Sequence, residues 1–416
     1  MVEEEDAVII GAGIAGLAMA VALKRVGIRA LVLERFDGLR ATGAALTLFP
    51  NAWLALNALG VSHNLSTFYA PCKIDSYFCE ISANYRKGVG PRSVHRKNLL
   101  QALADELPKG RIQFSSKLAK IETYQAQEAG STNNTVTLRM EDGTIIKTKL
   151  LIGCDGVHSV VARWLGLAAP VHSGRSAARG LALFPQGHGL DQSVNQLKDV
   201  GKRAGFIPID DKEVYWYFIC ESPPQGEEMA GNPEQIQRKV IEIYARNFPK
   251  EYLDIVRHSD LSTLTWAPLM FRYPLDIVFG NLSKGNITMA GDAMHPMTPD
   301  LGQGGCAALE DAVVLGRHIG NSLITNGKLE PIRDVALAIK GYVLERRWRV
   351  GWLVMGSYSL GCVQRGEKKW WMKYFFRHVI FIFRSVFFIR VSQYNCGILP
   401  RVFCKTDEAS NSMEMD

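Results

Sequence analysis

The chain has 416 residues, of which 47% are hydrophobic, 21% charged and 9% aromatic. This composition excludes a disordered chain, and the length predicts two or more domains. The net charge of +7 is uneven, because residues 340–405 carry thirteen Lys and Arg against two Glu, whereas the tail 406–416 carries four acids and no base. The basic character therefore belongs to a C-terminal segment, and the first 339 residues are neutral overall.

The eight cysteines contain no C-x-x-C pair, so we interpret them as reduced thiols and predict no metal site. The chain starts with Met-Val-Glu-Glu-Glu-Asp. This start has neither the basic residues and apolar run of a secretory signal nor the arginines of a transit peptide. We therefore expect a cytoplasmic protein.

The first elements predicted along the chain are a strand, a turn, a helix and a second strand. Residues 6–10 (Asp-Ala-Val-Ile-Ile) form a short apolar run after Asp6, and Gly11-Ala-Gly-Ile-Ala-Gly16 follows. Residues 17–26 have apolar side chains at helical spacing, and Ala30-Leu-Val-Leu-Glu34 is a second strand that is apolar up to Glu34. A G-x-G-x-x-G turn in this place is typical of dinucleotide binding, because its glycines permit a tight turn, close approach of a pyrophosphate and close helix packing. Glu34 ends the second strand, where a carboxylate binds ribose hydroxyl groups and favours FAD or NAD over NADP.

Two later segments point to a flavin rather than to a nicotinamide alone. In the first, a strand runs into Asp155-Gly156. In the second, a strand ends at Gly291-Asp292, a Pro-rich turn follows, and Gly302-Gln-Gly-Gly305 opens an Ala-rich helix. Asp292 is well placed to bind a ribityl or ribose hydroxyl group. The N–H groups of residues 303–306 lie at a helix start, where they can stabilise negative charge on a reduced flavin ring.

Together these motifs resemble the three fingerprints of the para-hydroxybenzoate-hydroxylase-like flavin monooxygenases, in the same order. Pro50-Asn51 and His95-Arg96 match accessory pieces of that family. Within the family, the chain resembles the plant-type FAD monooxygenases that are similar to salicylate hydroxylase. One departure concerns the arginine that usually closes the second motif, since here the first arginine after it is Arg163.

The resemblance implies an α/β fold: a Rossmann-type FAD-binding domain interleaved with a β-sheet substrate domain, plus a C-terminal helical segment. The predicted domains are residues 1–178 with 280–330 returning to them, the β-rich residues 179–279, the helical region 331–405 and the acidic tail 406–416. The other predicted elements are helices at residues 50–60 and 94–107, a β-meander at 111–152, a long helix at 303–320 and a mostly helical C-terminal region at 335–395.

The resemblance also implies which residues bind the cofactor. They are Gly11, Gly13, Ala15, Gly16, Glu34 and Arg35 for the ADP half of FAD, Arg96 for the pyrophosphate or ribityl region, Asp155 and Gly156 for the motif linked to both FAD and NAD(P)H, Asp292 for the ribityl chain, and Gly302, Gly304 and Gly305 for the flavin ring. No side chain is predicted to be catalytic, because Ser159 lacks a G-x-S-x-G setting and Cys154 lacks a partner histidine in its sequence context.

The implied activity is hydroxylation of a small, phenolic-acid-like aromatic substrate, with NAD(P)H and O2 consumed and a flavin hydroperoxide as the oxidant. We expect the substrate pocket on the face of the β-rich residues 179–279 that meets the flavin. Two alternatives stay open. One is a flavin epoxidase or reductase of the same fold that acts on an isoprenoid. The other is a non-catalytic binding protein of this fold, like the prenyl-GTPase escort proteins.

Residues 368–391 are aromatic, apolar and basic. A spanning helix is not expected, because Lys or Arg recurs at positions 373, 377, 384 and 390. The segment is either an amphipathic helix on an anionic membrane or a helix packed on the FAD domain with its basic face solvated. No nucleic-acid-binding motif accompanies it. The predicted partners are therefore a small-molecule substrate and O2, without nucleic acid, and with peripheral membrane contact through 368–391 as an open alternative.

Overall fold

The computed structural model contains two large sheets flanked by helices. The described residues are 2–40, 45–74, 90–124, 135–222, 231–326, 333–364 and 390–401. In chain order the strands are β1 (Val2–Ile10), β2 (Ala30–Leu33), β3 (Ala45–Leu48), β4 (Lys73–Ile74), β5 (Arg92–His95), β6 (Ile112–Gln113), β7 (Leu118–Tyr124), β8 (Thr135–Met140), β9 (Ile145–Gly153), β10 (Val171–Leu183), β11 (Ser193–Asp199), β12 (Lys202–Pro208), β13 (Glu213–Glu221), β14 (Thr265–Phe271), β15 (Ser283–Lys284) and β16 (Ile287–Met289). The helices are α1 (Ile14–Arg25), α2 (Pro50–Leu59), α3 (Ser62–Ser66), α4 (Arg96–Ala104), α5 (Val160–Trp164), α6 (Pro233–Lys239), α7 (Lys250–Arg257), α8 (Pro274–Val278), α9 (Gly304–Asn326) and α10 (Arg333–Gln364).

The first sheet has eight strands, with a parallel centre in the order β16-β9-β1-β2-β6. β15 pairs with β16, and β8 pairs with both β9 and β7, all antiparallel. The apolar run Ala7–Ile10 of β1 is buried, as expected for a parallel strand that is covered on both faces. Helices α1 and α9 pack closely, since a Cβ on Gly316 would lie 2.9 Å from the Ala22 Cβ. The predicted strand–turn–helix–strand start and the α/β class are confirmed.

The predicted β-meander is wrong in its first strand. β7, β8 and β9 are consecutive antiparallel neighbours, as predicted. β6, however, pairs in parallel with β2, with Ile112 opposite Val32. The alternation of residues 112–114 shows that they form a strand, but it carries no signal for which strand they join.

The second sheet has six strands in the order β14-β10-β13-β12-β11-β4, and all its neighbours are antiparallel except β4 and β11. Alternation along β13 separates two environments. Trp216 and Phe218 are buried in a core with helices α6 and α7, whereas Tyr215 and Tyr217 lie on the opposite face of the sheet. The predicted boundary between residues 178 and 179 falls inside β10, and the division into domains stays a prediction.

The C-terminal region begins with α10, which packs against α9 and α8. Among the described residues, no helix is long and apolar enough to cross a membrane. The segment 368–391 lies outside the described residues except for its last two, and the tail 406–416 lies wholly outside them. The proposed membrane contact of this segment therefore stays a prediction.

Candidate active site

The turn between β1 and α1 borders a cavity of about 310 Å³, here called the Gly-turn cavity. Gly11 has a φ of +102°, and a Cβ there would lie 2.5 Å from the Cys154 carbonyl oxygen, so this position requires glycine. A Cβ on Gly16 would overlap the Gly11 carbonyl oxygen. Gly13 is different, because nothing lies within 4 Å of a Cβ placed on it. The protein itself therefore does not require glycine at position 13, and the space in front of α1 is open.

The N-terminus of α1 faces this open space without a capping side chain. Its N-cap residue is Gly13, and its first turn contains no acidic residue. The first N–H groups of a helix lack partners within the helix and carry partial positive charge. This end of α1 therefore fits a phosphate. Ala15 and Gly16 are buried inside α1 and do not line the cavity, so their part is to pack the helix rather than to face a ligand.

Glu34 lines the Gly-turn cavity at the end of β2. Its Oε2 accepts a hydrogen bond from the Ala12 amide at 2.8 Å, and its Oε1 accepts one from the Phe36 amide at 3.1 Å. These two bonds hold the carboxylate beside the Gly-rich turn. Arg35 also lines the cavity, with its guanidinium carbon 4.7 Å from the centre of the Phe36 ring.

Asp155 and Gly156 line the opposite wall of the Gly-turn cavity. The Asp155 carboxylate caps α5, because it accepts hydrogen bonds from the Ser159 hydroxyl at 2.5 Å and the Val160 amide at 2.6 Å. Burial raises the pKa of Asp155, and these two hydrogen bonds oppose that rise. The side chain thus fixes the turn after β9. Arg163 is exposed and lines neither cavity described here.

A second cavity of about 310 Å³, here called the tyrosine cavity, lies between the second sheet and the turn before α9. Its lining includes Arg96, Arg179, Gln196, Arg203, Tyr215, Tyr217, Asp292, Met297, Thr298, Pro299, Asp300, Gly302, Gly304 and Gly305. Gly302 has a φ of +64°, and a Cβ on Gly305 would lie 2.8 Å from the Leu46 Cδ1. These glycines therefore let the start of α9 close against β3.

Arg96, the first residue of α4, lines both cavities. Its Nε is buried and has no hydrogen-bond partner among the described residues. Burial lowers the pKa of Arg96, and the nearby Asp292 carboxylate opposes this effect. An arginine keeps its charge under such conditions. A buried, unpaired guanidinium N–H at the junction of two cavities fits an anionic group that spans both of them.

Asp300 is a buried carboxylate that no sequence motif indicates. It accepts two hydrogen bonds from Arg175, at 3.0 and 2.6 Å, and lies 3.4 Å from the Arg203 guanidinium. Arg175 belongs to β10 and Arg203 to β12, so this cluster joins the turn before α9 to the second sheet. Its partners are 125 and 97 residues away in sequence, which is why no local motif reveals it.

A buried polar network lies beneath the Gly291–Asp292 turn. Asp311 accepts hydrogen bonds from the Gly291 amide at 2.9 Å, from His295 Nε2 at 2.6 Å and from Arg346 Nε at 2.7 Å. Burial opposes ionisation of Asp311, but His295 and Arg346 more than compensate and lower its pKa to about 2. His295 is thus linked to the Gly291–Asp292 turn through Asp311.

The neighbouring Glu310 extends this network to the Gly302–Gly305 turn. It accepts hydrogen bonds from Arg349 at 2.8 and 2.6 Å and from the Asn51 side-chain amide at 2.6 Å. Asn51 also donates to Gln303 Oε1 at 2.9 Å. Burial raises the pKa of Glu310, but the arginines outweigh that effect and the net pKa is lowered. The α10 arginines therefore support both turns that face the tyrosine cavity.

The two cavities together fit FAD, whose pyrophosphate lies between an adenosine end and a flavin end. The open helix terminus at Gly13 and the unpaired Arg96 N–H are groups that can bind phosphate. Glu34 offers a carboxylate for ribose hydroxyl groups in the Gly-turn cavity, and three glycines, at positions 302, 304 and 305, line the tyrosine cavity. This chain is therefore a flavin-dependent oxidoreductase.

Comparison with known proteins identifies the kind of oxidoreductase. Residues 4–330 match the profile of the FAD binding domain family, and the chain belongs to this family. It is 37% identical over 421 residues to Monooxygenase 2 of Arabidopsis thaliana, an alignment that covers 95% of this chain and 99% of that protein. It is 29% identical over 364 residues to an FAD-dependent urate hydroxylase of Klebsiella pneumoniae, covering 84% and 88% of the two chains.

A solved structure agrees with these similarities. Klebsiella pneumoniae HpxO in complex with FAD and uric acid superposes with a TM-score of 0.76 at 25% identity, covering 93% of this chain and 96% of that one. The chain is thus an FAD-dependent monooxygenase, with NAD(P)H as the reductant typical of the family, and not a non-catalytic escort protein.

Proposed function

We propose that this monooxygenase hydroxylates a small aromatic acid and belongs to the plant-type group that resembles salicylate hydroxylase. The observation that carries the proposal is the charge of the tyrosine cavity. Arg179 and Arg203 line it, while Asp300, the carboxylate beside Arg203, already accepts hydrogen bonds from both terminal nitrogens of the Arg175 guanidinium. Positive charge therefore exceeds negative charge in the wall nearest the second sheet, which favours an anionic ligand.

The aromatic part of the substrate is proposed to contact Tyr215 and Tyr217, which project from β13 into the cavity. Burial raises the pKa of Tyr215, so its phenol stays protonated at neutral pH and can donate a hydrogen bond. Arg179 has no carboxylate partner among the described residues and is the guanidinium that we assign to the substrate carboxylate. The relative of known structure binds uric acid, which is also a small, electron-rich and acidic ring.

The cofactor is proposed to bind through the residues predicted from the sequence. The residues that line the Gly-turn cavity would bind the ADP half of FAD; they are Gly11, Gly13, Glu34, Arg35, Asp155 and Gly156. Arg96 would bind the pyrophosphate. The residues of the tyrosine cavity that would bind the ribityl chain and the flavin ring are Asp292, Gly302, Gly304 and Gly305. Ala15 and Gly16 support this arrangement through the packing of α1.

When bound, FAD supplies the redox and oxygen chemistry, with NAD(P)H as electron donor and O2 as oxygen source. The protein's own task is to bind and orient the substrate and to exclude water. No side-chain nucleophile is proposed. Burial raises the pKa of the Cys154 thiol well above its usual value and that of the Cys306 thiol to about 12, so both are protonated and unreactive at neutral pH.

The charged lining of the tyrosine cavity disfavours the isoprenoid alternative. Arg179 and Arg203 line the cavity, and an apolar polyene offers these guanidinium groups no hydrogen-bond acceptor. A zeaxanthin epoxidase of an Oncidium hybrid cultivar is 27% identical over 365 residues, but this chain spans only about half of it, 52%.

The proposal is tested with the purified, FAD-loaded protein. NADH and NADPH oxidation, oxygen uptake and peroxide release are measured with a panel of phenolic acids that includes salicylate, each paired with its neutral amide. We expect one acid to accelerate NAD(P)H oxidation, to gain one oxygen atom and to release little peroxide, while its amide does not. If no acid changes the rate and neutral compounds do, the assignment of an aromatic acid is wrong.

A further inference from the structure

Helix α10 has an apolar stripe on its solvent side. Six side chains are exposed among residues 335–362, and five of them are large and apolar. These five, between 41% and 67% exposed, are Leu337, Leu344, Trp348, Trp352 and Met355. Their spacing of seven, four, four and three residues places them on one face of the helix. A surface helix of a globular protein normally shows polar side chains on this face, so the stripe needs an explanation.

Helix α8 and the residues around it continue the stripe. The Phe279 and Trp348 rings meet edge to face, with centroids 6.4 Å apart, and Phe279 is 73% exposed. Arg347 donates a hydrogen bond to the Val278 carbonyl oxygen at 3.0 Å, which fixes α8 against α10. Tyr273 and Leu275 are also exposed. The stripe and these three side chains around α8 form one surface, here called the tryptophan face.

The charges near the tryptophan face are mainly basic. Lys340 is the sixth exposed side chain of α10, and Arg347 lies beside Trp348. The one acid of α8, Asp276, is half-buried and interacts electrostatically with Arg272. In the sequence, α10 leads directly into residues 365–391, which carry seven Lys or Arg, one Glu and nine aromatic residues.

We propose that the tryptophan face is a docking surface for an anionic lipid bilayer. Tryptophan and tyrosine are the side chains that favour the interface between lipid and water, and leucine, phenylalanine and methionine favour the acyl region below it. Basic side chains beside such a surface add attraction to anionic headgroups. A second copy of the chain would also cover apolar area, but it would bring the same basic sequence, residues 365–391, against its own and so place like charges together. The surface shares no residue with either cavity, so the proposal is independent of the substrate assignment.

The test uses full-length, FAD-loaded protein and vesicles of phosphatidylcholine with or without phosphatidylserine. The variant is Trp348→Ser/Trp352→Ser, and the matched control is Phe68→Ser/Val200→Ser, which removes two exposed apolar side chains elsewhere. Co-sedimentation gives the partition coefficient, and the flavin absorbance and thermal midpoint report folding. We expect the wild type and the control to bind phosphatidylserine vesicles, and the tryptophan variant to bind at least about tenfold more weakly.

Other outcomes would overturn the proposal. Equal binding of the tryptophan variant and the wild type would place any membrane contact elsewhere in the chain. A wild type that ignores both vesicle types, but whose dimer dissociates in the tryptophan variant by light scattering, would assign the face to a second copy. Binding to phosphatidylcholine alone, with no gain from phosphatidylserine and no loss in high salt, would remove the role of the basic residues.

Discussion

Substitution of Asp311 by asparagine tests the buried network beneath the flavin-side turns. The change keeps the size of the side chain, but an amide has one acceptor oxygen where the carboxylate has two. The amide NH2 must therefore face at least one of the three donors, which are the Gly291 amide, His295 and Arg346. Loss of one partner of a buried ion pair costs about 3–5 kcal/mol of the free energy of unfolding, and we expect a loss of that size at neutral pH.

The same substitution should change the response to acid. The pKa of Asp311 is lowered from 3.8 to about 2, and each unit corresponds to about 1.4 kcal/mol, so ionised Asp311 stabilises the fold by about 2 kcal/mol. This contribution is fully present above pH ~4 and is lost as the pH falls through ~2. The difference between wild type and Asp311→Asn should therefore shrink by about 2 kcal/mol over that window.

Urea-induced unfolding, followed by circular dichroism and by flavin fluorescence, measures both effects. The matched control is Asp254→Asn, which breaks an exposed i,i+3 pair with Arg257 and should cost no more than about 0.5 kcal/mol. If Asp311→Asn lowered the free energy of unfolding by less than about 1 kcal/mol, as the control does, the view that this network stabilises the Gly291–Asp292 turn would be refuted.

Four further predictions concern single substitutions in and near the two cavities. Gly13→Ala should leave the stability of the apoprotein unchanged, because the added Cβ meets nothing and the backbone φ of −78° suits alanine. The same substitution should weaken FAD binding at least about tenfold. Equal FAD affinity of the variant and the wild type would contradict the proposed placement of the pyrophosphate. Gly11→Ala should instead destabilise the apoprotein by about 1–3 kcal/mol through the left-handed φ and the contact with Cys154, as measured by thermal unfolding. Arg179→Gln should raise KM for an aromatic acid about tenfold to hundredfold but not for its neutral amide, and an equal effect on both would exclude a carboxylate contact. Cys306→Ala should retain turnover between pH 6 and 9, since the pKa of this thiol is about 12; loss of activity with FAD still bound would implicate the thiol.

The residues near the Gly-rich turn could be predicted because their signal is local. A turn between a strand and a helix needs glycine at positions set by backbone geometry, and a ribose-binding carboxylate ends the next strand. Gly11, Gly13 and Glu34 therefore line the cavity that the motif indicates. The limit of the motif is visible at Gly16, which the same pattern includes but which packs against Gly11 and lies away from the cavity.

The residues of the tyrosine cavity could be predicted only in outline, because they come together through the tertiary fold. Alternation along β13 indicates two faces, but only the packing of the sheet shows that Tyr215 and Tyr217 face the cavity and Trp216 the core. The Asp300–Arg175 pair joins residues 125 apart, and no periodicity connects them. The pairing of β6 with β2 could not be predicted either, because it also joins segments far apart in the sequence.

The two faces of β13 have a consequence for how this enzyme can diverge. Mutations at Tyr215 or Tyr217 alter the wall of the tyrosine cavity, while the core on the other face, with Trp216 and Phe218, stays packed. The side chains that shape the cavity wall and those that stabilise the core thus alternate along one strand. Single substitutions can therefore reshape the cavity wall while the core keeps its packing.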